Sequence, residues 1–300
     1  MQQPHSNKNK ETYMEQQIVE IPAGQEGTRN TEWIAALEAG KVLYLPHAPF
    51  VFTDAEKKLL TPDVRDPKSR NISFGPDNRL KGGAGDEATL ALMAAMMERF
   101  RNQAEALLAT LAPKYTESLE RGAISYRPSV VEDRVQSWRA DDKRMHVDAF
   151  PSRPNRGQRL LRVFSNVNPA GVPRVWRVGQ PFEDVARHFL PRVKPYSAWQ
   201  ASLMKTLGIT KSLRSEYDHL MLQLHDAMKS DEDYQKNAPQ VTFGFPPGST
   251  WVVFSDQASH AAMSGQFMME HTLQLAPSKQ YHPEASPLAI LTRLQGHAIV

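Results

Sequence analysis

The sequence contains no cysteine. Disulfide frameworks, zinc–thiolate centres and iron–sulfur clusters are thereby excluded, and a reducing compartment fits. Nor is there an apolar run of about 18 residues, so no segment reads as a membrane-spanning helix. Met1 to Gln16 are polar and charged, without the apolar core of a secretory signal; they read as a disordered lead-in. Excess charge is absent as well. Lys and Arg number 36 against 33 Asp and Glu, a formal +3, and so near a balance gives no reason to expect nucleic acid as a partner. We find no internal repeat or long low-complexity tract. No polybasic cluster or strongly basic amphipathic helix announces contact with a membrane.

What the chain does have is an ordinary globular balance. Of 300 residues, 40% are hydrophobic and 23% charged, which is enough to bury a substantial core. A strand is expected at Lys41–Leu45, stopped by Pro46. From Asp86 to Leu111 apolar residues recur at steps of three and four, the pattern of an amphipathic helix that packs on a sheet. After Gly122 the pattern changes to short β-like runs separated by Pro, Gly and Asn: 123–127, 160–166, 172–178, 240–245, 250–255 and 267–275. Helices are expected at 182–190 and 211–228. The fold expected is α+β, a double-stranded β-helix (jelly roll) core with flanking and N-terminal helices. Residues 17–300 read as one catalytic domain: a helical support region over 17–121, then the β-helix over 122–300, with a helical insertion at about 180–238 placed over one end of the barrel.

Of the ten histidines, only His146 lies in a His-x-Asp pattern, within Arg144-Met-His-Val-Asp-Ala-Phe150. On extended backbone residues i and i+2 point the same way, so His146 and Asp148 can reach one metal from adjacent corners. By itself the tripeptide is a weak signal. His260, 114 residues further on, follows the strand-like run Trp251–Ser255, and a chain passing through several strands can return it beside His146. Two imidazoles and a carboxylate on one face of iron(II) leave open positions for a bidentate 2-oxo acid and dioxygen. His188, His219, His225, His271 and His282 lack a second ligand at metal spacing, so surface or packing roles are expected for them.

The stretches Arg144-Met-His-Val-Asp-Ala-Phe-Pro-Ser-Arg-Pro154, Arg159-Leu-Leu-Arg-Val-Phe-Ser-Asn-Val-Asn-Pro169, Pro173-Arg-Val-Trp-Arg-Val-Gly179 and Phe254-Ser-Asp-Gln-Ala-Ser-His-Ala-Ala-Met-Ser-Gly-Gln266 resemble the Kdo 3-hydroxylases of Gram-negative bacteria. The likeness extends over most of the chain after the N-terminal lead-in. It implies the β-helix fold, dependence on Fe(II), 2-oxoglutarate and O2, and hydroxylation of Kdo at carbon 3 to give Ko. The substrate implied is a lipid-linked Kdo-lipid A precursor of the lipopolysaccharide inner core. The place implied is the cytoplasm, with transient contact at the cytoplasmic face of the inner membrane. Asp148 favours hydroxylation, because halogenases of the superfamily replace this carboxylate with a small residue.

The distal carboxylate of 2-oxoglutarate needs a cation, best an arginine fork. Many relatives place it shortly after the second histidine, yet here no Lys or Arg follows His260 until Lys279. Arg162, on the strand after His-x-Asp, is the first expectation and Arg174 the second. Asn166 and Gln266 are candidate hydrogen-bond partners of co-substrate or sugar, and Arg127, Lys143 and Arg144 candidate contacts of the substrate's acidic groups. Other readings stay open at this point: an oxygenase of the same fold acting on a protein or a small metabolite, a non-catalytic jelly-roll sugar-binding module, or a His-Asp-His zinc hydrolase.

Overall fold

A computed structural model of the chain describes residues 17–131 and 136–300. The lead-in expected over 1–16 lies outside the described residues. Strand β1 (Ile18–Glu20) and helix α1 (Thr31–Glu38) lead to β2 (Val42–Leu45), β3 (Ile72–Phe74), β4 (Leu80–Lys81) and the long helix α2 (Glu87–Leu111). Then come β5 (Glu120–Arg127), β6 (Arg159–Asn166) and β7 (Arg174–Val178). Four helices follow, α3 (Phe182–Phe189), α4 (Ala198–Thr206), α5 (Glu216–Ser230) and α6 (Glu232–Asn237). The chain closes with β8 (Val241–Phe245), β9 (Thr250–Phe254), β10 (His260–Ser264), β11 (Met268–Leu275) and α7 (Pro287–Gln295).

Two sheets result. The larger has eight strands in the order β1-β2-β9-β6-β11-β5-β3-β4, and the smaller has three, β10-β7-β8. Among the described residues only β1 and β2 run parallel; the other pairings are antiparallel. Period-two alternation gives the central strands two different faces. Leu161 and Val163 of β6, Val252 and Phe254 of β9, and Leu273 and Leu275 of β11 pack under α1 and the end of α2. Phe164, Trp251, Val253 and Met268 point the other way and meet Trp176, Val178 and Phe245 of the small sheet. Arg162 shares that inner face with Phe164.

Helix α2 starts where expected because the Asp86 side chain accepts a hydrogen bond from the Thr89 amide, 2.8 Å, as an N-cap. Residues 17–121, expected to be helical support, also supply β1, β3 and β4 to the edges of the large sheet. Those strands have three, three and two residues, too short for alternation to show in sequence. The helix expected from Lys211 begins at Glu216 instead, since Ser215 and Asp218 form a capping box. Helix α7 carries start and stop signals that the sequence reading passed over: Ser286 as N-cap, Pro287 at the first position and left-handed Gly296 after the end.

Helices α3, α5 and α7 build a second core into which Met145 and Val147 insert. Because they alternate with His146 and Asp148, the latter two are turned away from the helices. The loop that delivers His260 is fixed by Arg159 and Asp256, whose side chains are wholly buried and 2.8 Å apart. Arg159 also donates to Gln257, and Asp256 accepts the Leu160 amide at 3.2 Å. Breaking one partner of a buried ion pair costs roughly 3–5 kcal/mol. Asp256→Ala is therefore expected to lose about that much unfolding free energy in a urea titration; a loss below about 1 kcal/mol would show that the pair does not secure this loop.

Candidate metal centre

His146 and His260 are joined by an isolated antiparallel bridge: each amide donates to the other's carbonyl, at 2.9 Å in both directions. The His-x-Asp segment was expected at a strand end, yet this single bridge is its ladder, reinforced two residues on by Asp148 N donating to Ser255 O at 2.8 Å. One ligand atom from each of His146, Asp148 and His260 comes within 4.8 Å of the other two. The three residues expected to converge do converge.

The ring tautomers follow from their partners. His146 Nδ1 lies 2.7 Å from Arg144 O, and His260 Nδ1 lies 2.8 Å from Ala258 O. A carbonyl only accepts, so each Nδ1 carries the proton and each neutral ring keeps its Nε2 lone pair for a metal. Burial, and then the neighbouring His146 ring, push His260 down to about 4, which keeps it neutral at physiological pH. Burial by itself would raise the Asp148 carboxyl, but the Arg162 guanidinium beside it overrides that and holds the group well below the usual carboxylate range. Two neutral imidazoles and one carboxylate form the donor set of a facial triad.

Around these donors is a cavity lined by four arginines, Arg70, Arg127, Arg162 and Arg174, and by Phe164, Trp176 and Met268. The Trp176 ring stacks on His260, centroids 5.0 Å apart, and meets Phe164 edge-on. Trp176 Nε1 and Arg162 Nε, both on residues that line this cavity, are buried without a hydrogen-bond partner. A second recess adjoins the first, sharing Arg70, Asp142, His146, Asp148 and Phe150 with it and adding His225, Asp226 and Lys229.

Arg162 does reach the site, but on two carboxylates: Nη2 is 3.1 Å from Asp148 and Nη1 2.9 Å from Glu270. Glu270 in turn holds Arg127 at 2.5 Å. Arg127, Glu270 and Arg162 come from three adjacent strands, β5, β11 and β6, and form a buried row ending on Asp148. Glu270 was missed by sequence reasoning, because in Met268-Met-Glu-His-Thr272 a lone glutamate looks like an outward-facing charge. Arg174 is buried and lines the same cavity, donating to Gly265 O at 3.0 Å. A Cβ on Gly265, whose φ is +112°, would sit 3.1 Å from the Arg174 Cα, so this approach requires glycine.

Four candidates are placed elsewhere. Asn166 donates to Val172 O and Phe245 O, tying the β6–β7 turn. Gln266 donates to Pro128 O. Arg144 reaches Lys229 O and Glu232, bracing α5 and α6. The Lys143 carbonyl accepts from Arg177, and neither Lys143 nor the other three lines the cavity. The side-chain donors of Asn166, Gln266 and Arg144 go to backbone carbonyls, and Arg144 to Glu232 as well, partners that no spacing rule reveals. Of the other histidines, His225 sits edge-on to His146 at 5.5 Å, and His271 is buried against Glu105. Neither joins the donor cluster.

A family model described as 3-deoxy-D-manno-oct-2-ulosonic acid (Kdo) hydroxylase matches residues 22–298. Among solved structures, the chain is similar to the Kdo hydroxylase KdoO, described as a non-haem Fe(II) α-ketoglutarate-dependent dioxygenase. Against its complex with α-ketoglutarate and Fe(III), identity is 42% over 95% of this chain and 97% of that one, with a TM-score of 0.90. The apo structure gives the same identity, coverages and TM-score, 42%, 95%, 97% and 0.90. The complex with succinate and Fe(III) gives 43% identity, 94% and 97% coverage and 0.89. No curated protein matches.

The row of buried charges is expected to act as one network. A double-mutant cycle between Arg127→Met and Glu270→Gln, read by urea unfolding, should give a coupling of about 1–3 kcal/mol. Additive losses would show that Glu270 and Arg127 act separately.

Proposed function

The chain belongs to the Kdo hydroxylase family, and from that premise we propose that it hydroxylates carbon 3 of Kdo in a lipid-linked inner-core precursor, giving Ko. It is a non-haem iron(II)- and α-ketoglutarate-dependent dioxygenase. The observation that carries the site assignment is the convergence of His146, Asp148 and His260 with both Nε2 lone pairs turned inward. These three residues would hold the iron. Bound there with 2-oxoglutarate, it would supply the oxidising power for a reaction in which one oxygen atom of dioxygen goes to the sugar and the other to succinate, with loss of CO2. A non-catalytic sugar-binding module would have no use for such a donor set. The two packed sheets form the jelly roll, and the work takes place at the cytoplasmic face of the inner membrane. Among the described residues no helix is long and apolar enough to cross a membrane.

The chain's own residues position the reactants and exclude water. Arg162 holds Asp148 in its ligating orientation, with Glu270 and Arg127 behind it. Its two terminal nitrogens already face the carboxylates of Asp148 and Glu270, so we assign the distal carboxylate of 2-oxoglutarate to Arg174, the second arginine expected from sequence. Trp176 Nε1 is a further donor into the same space. Charge supports this reading. Against the four arginines stand Asp142, Asp148 and Glu270, leaving one positive charge in excess among the described residues. A divalent cation, a dianionic 2-oxo acid and a sugar with one carboxylate bring the total to zero. Arg70, half exposed beside Asp142, lines both the inner cavity and the outer recess and is the arginine set to meet the acidic sugar.

Removing one partner of a buried charge pair costs roughly 3–5 kcal/mol, or about two to three decades in affinity. Arg174→Ala is expected to raise half-saturation by 2-oxoglutarate by that factor, as read by succinate release, while metal affinity is kept. Arg162→Ala should chiefly weaken metal binding; if it alone shifts the 2-oxoglutarate requirement, the anchor is Arg162. The reaction itself is tested on Kdo-lipid A precursor with labelled dioxygen, where mass spectrometry should find one labelled oxygen on Kdo. Label arriving from water would contradict oxygenase chemistry.

A further inference from the structure

Helix α4 and the turn after it expose an apolar ridge that the packed cores do not use. Trp199, Leu203 and Leu207 follow one another at four-residue steps, which places them on one side of the helix. They are 67%, 47% and 63% exposed, and Ile209 is 56% exposed. Ala201 takes the buried side. The ridge is held in shape: Gly208 adopts φ +68°, and the Gly208 and Ile209 amides donate to Lys205 O and Met204 O at 3.0 and 2.9 Å. From 191 to 215 the chain has five basic residues and no acidic one. Arg192 is committed to Asp231, 2.6 Å away, but Lys194, Lys205 and Lys211 are exposed.

We propose that this face docks on an anionic phospholipid bilayer and sets the mouth of the cavity against the membrane. The ridge is tied to that mouth directly. Lys211 N donates to Ser152 O at 3.0 Å, and Arg214 donates to Pro151 O at 2.7 Å. Pro151 lines the outer recess, and Phe150, itself 40% exposed, lines both cavities. Apolar side chains led by a tryptophan, with lysines beside them, suit the headgroup region of a bilayer. The basic rim attracts anionic lipid. A second copy of the chain fits less well, since a two-fold contact through this segment would set basic rim against basic rim. The sequence reading found no basic amphipathic helix because the bases lie in the flanks as well as on α4. The proposal rests on the lipid-linked reading of the substrate and supplies the route by which such a substrate reaches the site.

Vesicle sedimentation tests it with the full-length protein and no Kdo lipid. Vesicles of phosphatidylethanolamine and phosphatidylglycerol should carry the protein down, vesicles of phosphatidylcholine alone should not, and salt should release it. Trp199→Glu combined with Leu203→Glu should abolish binding. Lys205→Gln combined with Lys211→Gln should lower the partition coefficient by about thirtyfold. All four side chains are exposed, so melting temperatures should be unchanged. Equal sedimentation of wild type and the apolar double variant overturns the proposal, as does equal binding to both kinds of vesicle. Self-association that the apolar variant abolishes, without vesicle binding, assigns the face to a second copy instead. Hydroxylation of lipid-linked Kdo without vesicle binding keeps the proposed function and removes the docking face; vesicle binding without that activity does the reverse.

Discussion

Two backbone hydrogen bonds between His146 and His260 are the constraint on which the site depends. They join segments 114 residues apart and place both rings, and Asp148 beyond them, around one point. Such bonds contribute about 0.5–1.5 kcal/mol each, so the bridge does not hold itself. It is held from two sides. Met145 and Val147 are anchored in the helical core, and the chain leading to His260 is clamped by the buried Arg159–Asp256 pair. Trp176 closes the third side by stacking on His260. The helices between β7 and β8 therefore serve the metal centre even though none of them carries a ligand.

The second requirement is electrostatic. Asp148 must be both buried and ionised, and burial favours the neutral acid. Arg162 reverses that preference, but a buried guanidinium creates the same problem in the opposite sense. Glu270 answers Arg162, and Arg127 answers Glu270. This row crosses three strands on the inner face of the large sheet and ends toward the cavity. Its geometry is set by strand register, so the carboxylate ligand is oriented before any metal arrives. The row itself is balanced, two guanidiniums against two carboxylates; the positive excess in the cavity comes from Arg70 and Arg174 against Asp142, and an acidic co-substrate and an acidic sugar suit it.

Much of this was legible in the sequence. His146, Asp148 and His260 stood out because few residue types ligate metals and their setting among β-like runs allowed them to meet. Helix α2 showed itself by its period, and β6, β9 and β11 as β-like runs bounded by turn residues. Other features stayed hidden for identifiable reasons. Strand β10, His260-Ala-Ala-Met-Ser264, has no β-branched or aromatic residue. The side to which Asn166, Gln266, Lys143 and Arg144 turn depends on tertiary hydrogen bonds. Arg162 was rightly read as a charge in need of a partner, but the partners are Asp148 and Glu270, and the second of these was invisible. Helix α4 shows a further limit: four-residue spacing identifies an apolar side without saying whether protein covers it.

These levels connect in one direction. The bridge fixes the donors, the charge row orients the carboxylate, and the small sheet carries Arg174 and Trp176 to the donors. The account stands or falls on the claim that the bridge assembles a single iron site able to chelate 2-oxoglutarate. Anaerobic titration of the protein with iron(II) and 2-oxoglutarate measures this most directly. A weak visible charge-transfer band should grow to saturation at one iron per chain and be missing in His260→Ala, with its far-UV circular dichroism unchanged. A band of normal intensity in the folded His260→Ala protein, or none in wild type, would contradict it.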